Sequence, residues 1–215
     1  MFLMSLYRNL QLVWACRRES LRDLWKVLRL TWIYNKLDGH LARFRKQSGI
    51  KCFRGCGQCC ENPYVETTVL EMLPLAAKLF HQKQIDAWLD DDSLLEITKG
   101  KCPFYRADPH ITGNGSCGVS SFRPLICRLY GYSAKHDKNG SRIYYTCKRI
   151  KSAYVESCEN ICSRSEKIST PHVEDYAMMR LEIAREIDRN LYPLPVALKL
   201  AIERVGFSHQ MRKNL

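Results

Sequence analysis

Residues 52–60 read CFRGCGQCC, which places Cys52, Cys56, Cys59 and Cys60 within nine positions. Ordinary packing of a hydrophobic core does not require four thiols in so short a stretch. The chain has 215 residues and 11 cysteines, its 46% of hydrophobic residues is that of a globular protein, and its mean hydropathy of -0.32 argues against a polytopic membrane protein. The N-terminus lacks the pattern of a secretory signal, and no stretch reaches the roughly 18 uncharged apolar residues of a membrane span. The sequence therefore predicts a cytoplasmic protein, in which clustered cysteines are metal ligands or redox groups.

Three segments differ in composition. Residues 1–50 carry ten basic and three acidic residues, and residues 51–165 hold ten of the eleven cysteines. We predict a basic amphipathic helical arm over 1–50, a cysteine-cluster metal-binding module over 51–165, and C-terminal helices over 166–215 that pack on the module. The predicted fold class is mainly α with small β-hairpins, an irregular metal-stabilised cysteine-rich module flanked by helices.

The N-terminal arm has two faces at helical spacing. The apolar stripe consists of Leu21, Leu24, Trp25, Leu28 and Trp32. The basic face consists of Arg18, Arg22, Lys26 and Arg29. Such a helix either lies on an anionic membrane surface or a protein partner, or packs on the domain with its basic face in water. The first case makes the protein membrane-peripheral. The net charge of +12 also suits nucleic acid, but no C₂H₂, RRM or KH motif is present.

Short signals predict the ends of several elements. Thr68 with Glu71 predicts a capping box that opens a helix over TTVLEMLPLAAKLFHQKQIDAWL. Asn139-Gly140 predicts a β-hairpin between LYGYSA and RIYYTC. Thr170 is expected to cap a helix that begins after it, and LPVALKLAIERVGF predicts a last short helix.

Three chemistries fit parts of CFRGCGQCC. The spacing from Cys52 through Cys56 to Cys59 is that of radical SAM enzymes, yet residues 61–165 offer too few alternating strands and helices for their βα barrel. Cys56-Gly57-Gln58-Cys59 matches the C-x-x-C of thiol oxidoreductases, yet no thioredoxin-like βαβ pattern surrounds it. The third chemistry is coordination, since thiolates bind zinc in sets of four and bind the irons of iron–sulfur clusters in similar numbers.

Further ligands and counter-charges follow the cluster. Adjacent Cys59 and Cys60 project in different directions on a strand or helix, which favours two sites or a cluster of wider reach over one zinc ion. The basic residues near cysteines that could offset thiolate charge are Arg54, Lys101, Arg106, Arg123, Arg128 and Lys148. His110 and His136 are fallback ligands, whereas Cys16, Cys158 and Cys162 fit buried unligated thiols.

CFRGCGQCC, the CPFY that begins at Cys102, and GSCGVSSFRPLICRLYGY together resemble the YkgJ-like cysteine-cluster family, which is described as zinc- or iron-chelating. The resemblance covers about residues 50–150. The family begins with C-x-x-C, whereas three residues separate Cys52 and Cys56 here. The resemblance implies a bound metal, and a related cysteine cluster in bacterial flagellin lysine N-methylases implies methyl transfer to a lysine of a partner protein as an alternative.

Our leading hypothesis is a metal-binding protein that holds an iron–sulfur cluster, 4Fe-4S foremost, or zinc. The predicted metal ligands are Cys52, Cys56, Cys59, Cys60, Cys102, Cys117, Cys127 and Cys147. One alternative is a cluster-dependent protein-modifying enzyme such as a protein lysine N-methyltransferase. Another is a docking module, in which the metal stiffens the fold and the basic arm binds the partner or membrane. The sequence identifies no catalytic residue.

Overall fold

The computed structural model of the chain describes residues 21–62, 64–90, 100–112, 114–140, 142–163 and 168–213. Cys16 and Arg18 lie outside these ranges, as do the side chains of Leu21, Arg22 and Cys162. All eight predicted metal ligands lie inside them, and each is a thiol that forms no disulfide.

The described residues form a mainly α-helical fold with three small antiparallel sheets, as the sequence predicted. The helices are α1 Leu21–Ser48, α2 Val69–His81, α3 Asp86–Leu89, α4 Leu125–Leu129, α5 Lys148–Ala153, α6 Val155–Ser163, α7 Val173–Leu181, α8 Arg185–Asp188 and α9 Leu194–Lys213. The strands are β1 Glu66–Thr67, β2 Tyr105–Ala107, β3 Gly115–Cys117, β4 Ser133–His136, β5 Arg142–Tyr145 and β6 Tyr192–Pro193. Strand β1 pairs with β6, β2 with β3, and β4 with β5. Gln58–Glu61 and Ser120–Phe122 are 3-10 turns.

Helix α1 buries a different face from the predicted one. Trp25, Leu28 and Trp32, which were expected in the apolar stripe, are exposed. The buried face continues further along the helix and consists of Val27, Leu30, Ile33, Tyr34, Leu37, Leu41 and Phe44. Both stripes have helical spacing, so periodicity alone could not choose between them, and the longer stripe packs on the core.

Lys26 also departs from its predicted place on a solvated basic face. It is buried, and its Nζ lies 2.7 Å from Oε1 of Glu186. The ammonium group therefore joins α1 to α8. A buried Lys needs such a partner, because burial of an unpaired charge is costly.

The predicted N-cap of α2 is confirmed, but the Glu71 carboxylate bonds to groups of other elements instead of completing the capping box, and the helix is shorter than expected. Thr68 is the N-cap, and its hydroxyl accepts a 3.4 Å hydrogen bond from the backbone N–H of Glu71. The helix ends at His81, because Lys83 adopts a φ of 55°, in the left-handed region that an α-helix cannot include. Residues 86–89 then form the separate helix α3.

The predicted hairpin is confirmed, whereas the predicted cap at Thr170 is wrong. Strands β4 and β5 pair with Ser133 opposite Tyr145. The N-cap of α7 is His172. The backbone N–H of Ala134 donates to the carbonyl oxygen of Pro171 at 2.8 Å, so the hairpin holds residues before α7 in an extended conformation.

One hydrophobic core joins the helices. Helix α9 packs along α2, and α1 packs against α2 and α7. The core includes Phe44 of α1, Leu70 of α2 and Leu198 of α9. The division of the chain at residues 50 and 165 stays a prediction. None of the helices in the described ranges has the length and apolar character needed to cross a bilayer.

Candidate metal centre

The cysteine loop at 52–60 is attached to the β2–β3 hairpin by backbone hydrogen bonds. Cys56 forms a bridge with Asn114, and the N–H of Gly115 donates to the carbonyl oxygen of Gly55 at 2.7 Å. The N–H of Cys102 donates to the carbonyl oxygen of Cys60 at 2.8 Å. Segments more than 40 residues apart in the sequence are thereby held side by side. The loop has little regular structure of its own, so these bonds fix its position.

A close approach of Tyr105 requires glycine in the loop. The ring of Tyr105 lies against Gly57 and Gly115, and a Cβ on either glycine would overlap it. The Tyr105 hydroxyl donates to the carbonyl oxygen of Asn114 at 3.0 Å. The aromatic ring is therefore held between the loop and the hairpin. Position 57 must be glycine, because any side chain there would overlap the ring.

Cys60 is the centre of a group of four thiols. Its side chain hydrogen-bonds those of Cys59, Cys102 and Cys117. These bonds raise the pKa of Cys60 far above its ordinary value. They lower the pKa of Cys59 to about 6, of Cys102 to about 7 and of Cys117 to about 5, although burial opposes each shift. Four such close sulfurs cannot all ionise without positive charge beside them; Arg123 supplies one such charge, and a bound metal ion would supply more.

The adjacent pair Cys59 and Cys60 contributes both thiols to this group. Neighbouring side chains diverge on a strand or a helix, which was the basis for expecting two sites or a cluster of wider reach. The pair lies instead in the 3-10 turn at Gln58–Glu61. In this turn the backbone N–H of Cys60 donates to the carbonyl oxygen of Gly57 at 2.8 Å. In this conformation the two side chains hydrogen-bond each other.

Hydrogen bonds to sulfur support the thiolates. The backbone N–H of Phe104 bonds Cys102, and that of Val119 bonds Cys117. The guanidinium of Arg123 bonds the sulfur of Cys117 as well. Donors of this kind stabilise metal-bound thiolates and tune the potential of a cluster. Arg123 was among the predicted counter-charges, and the structure places it in that role.

Cys127 approaches the group from α4. Burial raises its pKa to about 12, and the charges of Cys102 and Cys117 act in the same direction. Such a thiol ionises at neutral pH only when a cation binds it. Helix α4 begins after Pro124, its N-cap, so the turn that ends at Pro124 sets where Cys127 lies.

Arg128 was predicted to offset thiolate charge, but it is a structural anchor instead. It lies buried over the ring of Tyr34, with Cζ 4.1 Å from the ring centroid. Its Nη1 contacts both carboxylate oxygens of Asp38 at 3.0 and 3.2 Å. Its Nε and Nη2 donate to the carbonyl oxygens of Arg123 and Ser121. Arg128 thereby fixes the turn that carries Arg123 and the start of α4.

A second group contains Cys52 and Cys56, whose side chains hydrogen-bond each other. Burial, followed by the charge and hydrogen bond of Cys56, raises the pKa of Cys52 to about 11. Cys147 and Cys59 lie close enough to act on Cys52 by charge. The structure therefore divides the eight predicted ligands into an inner group of Cys59, Cys60, Cys102, Cys117 and Cys127, and an outer group of Cys52, Cys56 and Cys147. That they bind metal stays a prediction.

Sequence reasoning missed two partners of the outer group. Nη1 of Arg149 lies 3.3 Å from the sulfur of Cys56. The hydroxyl of Tyr132 accepts a 2.6 Å hydrogen bond from the backbone N–H of Cys52. The sulfur of Cys147 caps the N-terminus of α5. Arg149 follows this predicted ligand by two positions, and that proximity was the one sequence signal that could have identified it as a counter-charge. By contrast, the predicted counter-charge Lys101 pairs with Glu61 at 3.1 Å.

The inner group lines a cavity of about 410 Å³. All five inner cysteines and Arg123 contribute to its wall, and the rest of the wall is largely apolar. The apolar part includes Met72, Phe122 and Val173. The cavity therefore extends from the sulfurs towards the hydrophobic core.

A buried carboxylate lies on the wall of the same cavity. Oε1 of Glu71 accepts hydrogen bonds from the N–H of Leu125 at 2.5 Å and the hydroxyl of Tyr34 at 3.1 Å. Its Oε2 accepts from Thr67 at 3.1 Å and forms an ion pair with Arg180. Glu71 thus connects α1, α2 and α7 to the first residue of α4, the helix of Cys127.

Arg180 is shared between two buried carboxylates. Its Nε donates to Oδ2 of Asp188 at 2.8 Å, and its Nη1 donates to Glu71. Burial raises the pKa of Asp188 in spite of this arginine. No sequence signal pointed to this network, because its members are far apart in the chain and each alone resembles a surface charge.

The fold and the grouped thiols define a cysteine-rich domain whose clustered cysteines fit metal binding. The chain belongs to the CxxCxxCC family, whose model, described as "Putative zinc- or iron-chelating domain", matches residues 51–163, just over half of the chain. The family resemblance inferred from the sequence is thereby confirmed. Neither the curated proteins nor the solved structures contain a significant match.

Proposed function

We propose that this protein holds an iron–sulfur cluster of the four-iron type, with ligands from the inner group of cysteines. The observation that carries the proposal is the presence of five thiols on the wall of one cavity of about 410 Å³. A tetrahedral zinc site holds four sulfurs about 3.8 Å apart and needs no adjoining space, so the hydrogen-bonded thiols around Cys60 by themselves also suit zinc. A cluster places irons and sulfides between the thiolates and needs such space.

The chain's own residues supply what a thiolate-bound cluster requires. The N–H groups of Phe104 and Val119 and the guanidinium of Arg123 donate to the sulfurs, which offsets their negative charge. The apolar side of the cavity limits access of water, and both features set the reduction potential of a cluster.

Anaerobic purification followed by assays of iron, zinc and acid-labile sulfide, with a visible spectrum, tests the proposal. We expect a brown protein with stoichiometric iron and sulfide. Cys60→Ser and Cys117→Ser should each lose most of the iron and sulfide, whereas Cys158→Ala is the matched control, because Cys158 is packed in the hydrophobic core. A colourless protein with one zinc per chain and no sulfide would make this a zinc domain, and a folded protein without metal would refute both.

The exposed face of α1 supports a second function, docking on an anionic membrane surface. Trp25 and Trp32 are 49% and 52% exposed, and Leu28 lies beside them. The guanidinium of Arg29 lies 5.9 Å from the centroid of each tryptophan ring, and Nζ of Lys36 lies 5.5 Å from that of Trp32. Exposed tryptophan with basic neighbours is typical of helices that lie at the interface of an anionic membrane. Residues 1–50 carry ten basic and three acidic residues, and their net positive charge is the sign that an anionic membrane attracts.

Co-sedimentation with vesicles tests the docking function. We expect binding to vesicles of phosphatidylserine and phosphatidylcholine, weak binding to phosphatidylcholine alone, and loss of binding at high salt. A Trp25→Ala, Trp32→Ala double variant should lose binding and keep its metal. Phe207→Ala is the control, because Phe207 is 65% exposed on α9. Equal binding of the double variant and the control would refute the docking face.

The enzymatic alternative, protein lysine methylation, stays a prediction. Its test is turnover of a lysine substrate in proportion to the iron content of the wild type and the cysteine variants.

A further inference from the structure

Three potential metal ligands meet where the β4–β5 hairpin contacts the start of α7. One ligand atom each from His136, His172 and Glu174 lies within 4.8 Å of the other two. His136 ends β4, and His172 forms a parallel bridge with Ala134 of the same strand. The hydrogen bond from Ala134 to Pro171 holds this bridge in place. The backbone therefore brings together residues that lie 36 positions apart in the sequence.

His172 is the fixed member of the group. It is 8% exposed, and its Nδ1 is buried without a hydrogen-bond partner among the described residues. Burial, followed by the charge of Arg142, lowers the pKa of His172. A buried nitrogen without a partner is unfavourable, and a bound ion can satisfy it.

The other two members are exposed and can move. The rings of His136 and His172 are stacked, with centroids 4.6 Å apart and planes 18° apart. In a tetrahedral site with bonds of about 2.1 Å, ligand atoms are about 3.4 Å apart. Rotation of the His136 and Glu174 side chains can close a gap of this size, and His136 must tilt out of the stack for its nitrogen to face the ion.

We propose that His136, His172 and Glu174 form a second metal site, separate from the cysteines, for a divalent transition metal ion such as Zn²⁺. Two imidazoles and one carboxylate are a ligand set that zinc and ferrous iron accept, with a further position left for water. The carboxylate of Glu174 offsets the charge of the ion, whereas Arg142 opposes it and limits the affinity. A bound ion connects the hairpin to α7.

Cobalt(II) titration of the full-length protein distinguishes this site from the cysteines, because thiolate ligation gives intense sulfur-to-metal absorption and nitrogen and oxygen ligation does not. We expect the wild type to bind one equivalent of Co²⁺ without any increase in sulfur-to-metal absorption. Zn²⁺ should displace this equivalent. His136→Ala should abolish this equivalent, and Glu174→Gln should weaken it at least tenfold. Both residues are exposed, so the variants should fold.

His110→Ala is the matched control, because His110 is exposed in a loop of the same module. It should bind the additional equivalent as the wild type does. Absence of the equivalent from the wild type, or its full retention in His136→Ala, would refute the second site. Iron and sulfide contents should be unchanged in all these variants, so failure of the cysteine centre would be recognised separately.

Discussion

Replacement of Glu71 by Gln tests whether the buried network beside the cavity holds the fold together. Glu71 is 1% exposed and accepts four hydrogen bonds, two on each oxygen. Gln has nearly the same shape, but one oxygen becomes an amide group that donates. On each side of the carboxylate, one of the two donors is a hydroxyl, which can rotate and accept from the amide.

The other donor on each side is an N–H that cannot reverse its role. One is the backbone N–H of Leu125 and the other is the guanidinium of Arg180. Whichever way the Gln side chain is placed, one of them faces the amide and loses its acceptor, which costs about 1–3 kcal/mol. Breaking a buried ion pair costs about 3–5 kcal/mol, and Arg180 retains Asp188, so we expect a loss of about 3 kcal/mol.

Urea denaturation of the wild type and the Glu71→Gln variant measures this loss. In a protein of 215 residues it corresponds to a fall in Tm of about 6–12 °C. Glu66→Gln is the matched control, because Glu66 is exposed on β1 and its replacement should change the free energy of unfolding by less than about 0.5 kcal/mol. A loss below about 1 kcal/mol in Glu71→Gln, with an unchanged m-value, would show that the network does not stabilise the fold.

Three further predictions concern other parts of the fold. Arg128→Lys should lower the free energy of unfolding by about 2 kcal/mol in urea denaturation, because one ammonium nitrogen cannot replace the three guanidinium nitrogens that bind Asp38, Arg123 and Ser121; an unchanged value would contradict the anchoring role. Gly57→Ala should lower metal content and stability because its Cβ overlaps a tyrosine ring, whereas Gly39→Ala in the open surface of α1 should stabilise the protein by about 0.5–1 kcal/mol; equal effects would argue against this overlap. Burial lowers the pKa of His40 in the folded state below that in the unfolded state. As the pH drops through about 6.5, His40 is therefore protonated first in the unfolded state, and the free energy of unfolding falls. This loss should be smaller in His40→Gln when unfolding is compared at pH 7.5 and 5.5, and an identical loss would exclude His40.

Helix caps and tight turns could be predicted from the sequence where they depend only on neighbouring residues. The Thr68 cap and the β4–β5 hairpin depend on a few neighbouring residues, and both predictions are confirmed. The same reasoning failed at Thr170, where a hydrogen bond from Ala134 of a distant hairpin overrides the local capping signal. In α1, periodicity gave a helix but not its buried face, because two apolar stripes compete and only packing against α2 and α7 selects one.

The sequence by itself determined the cysteine-rich character of the protein, its family and its mainly helical fold, because thiol spacing, turn residues and periodicity are written in short stretches. Only the tertiary structure separated Cys60 and its four neighbours from Cys52, Cys56 and Cys147. It also brought His136 to His172 and Arg180 to Glu71. Such contacts join residues far apart in the chain. They depend on how whole helices and hairpins pack, which residue spacing does not encode.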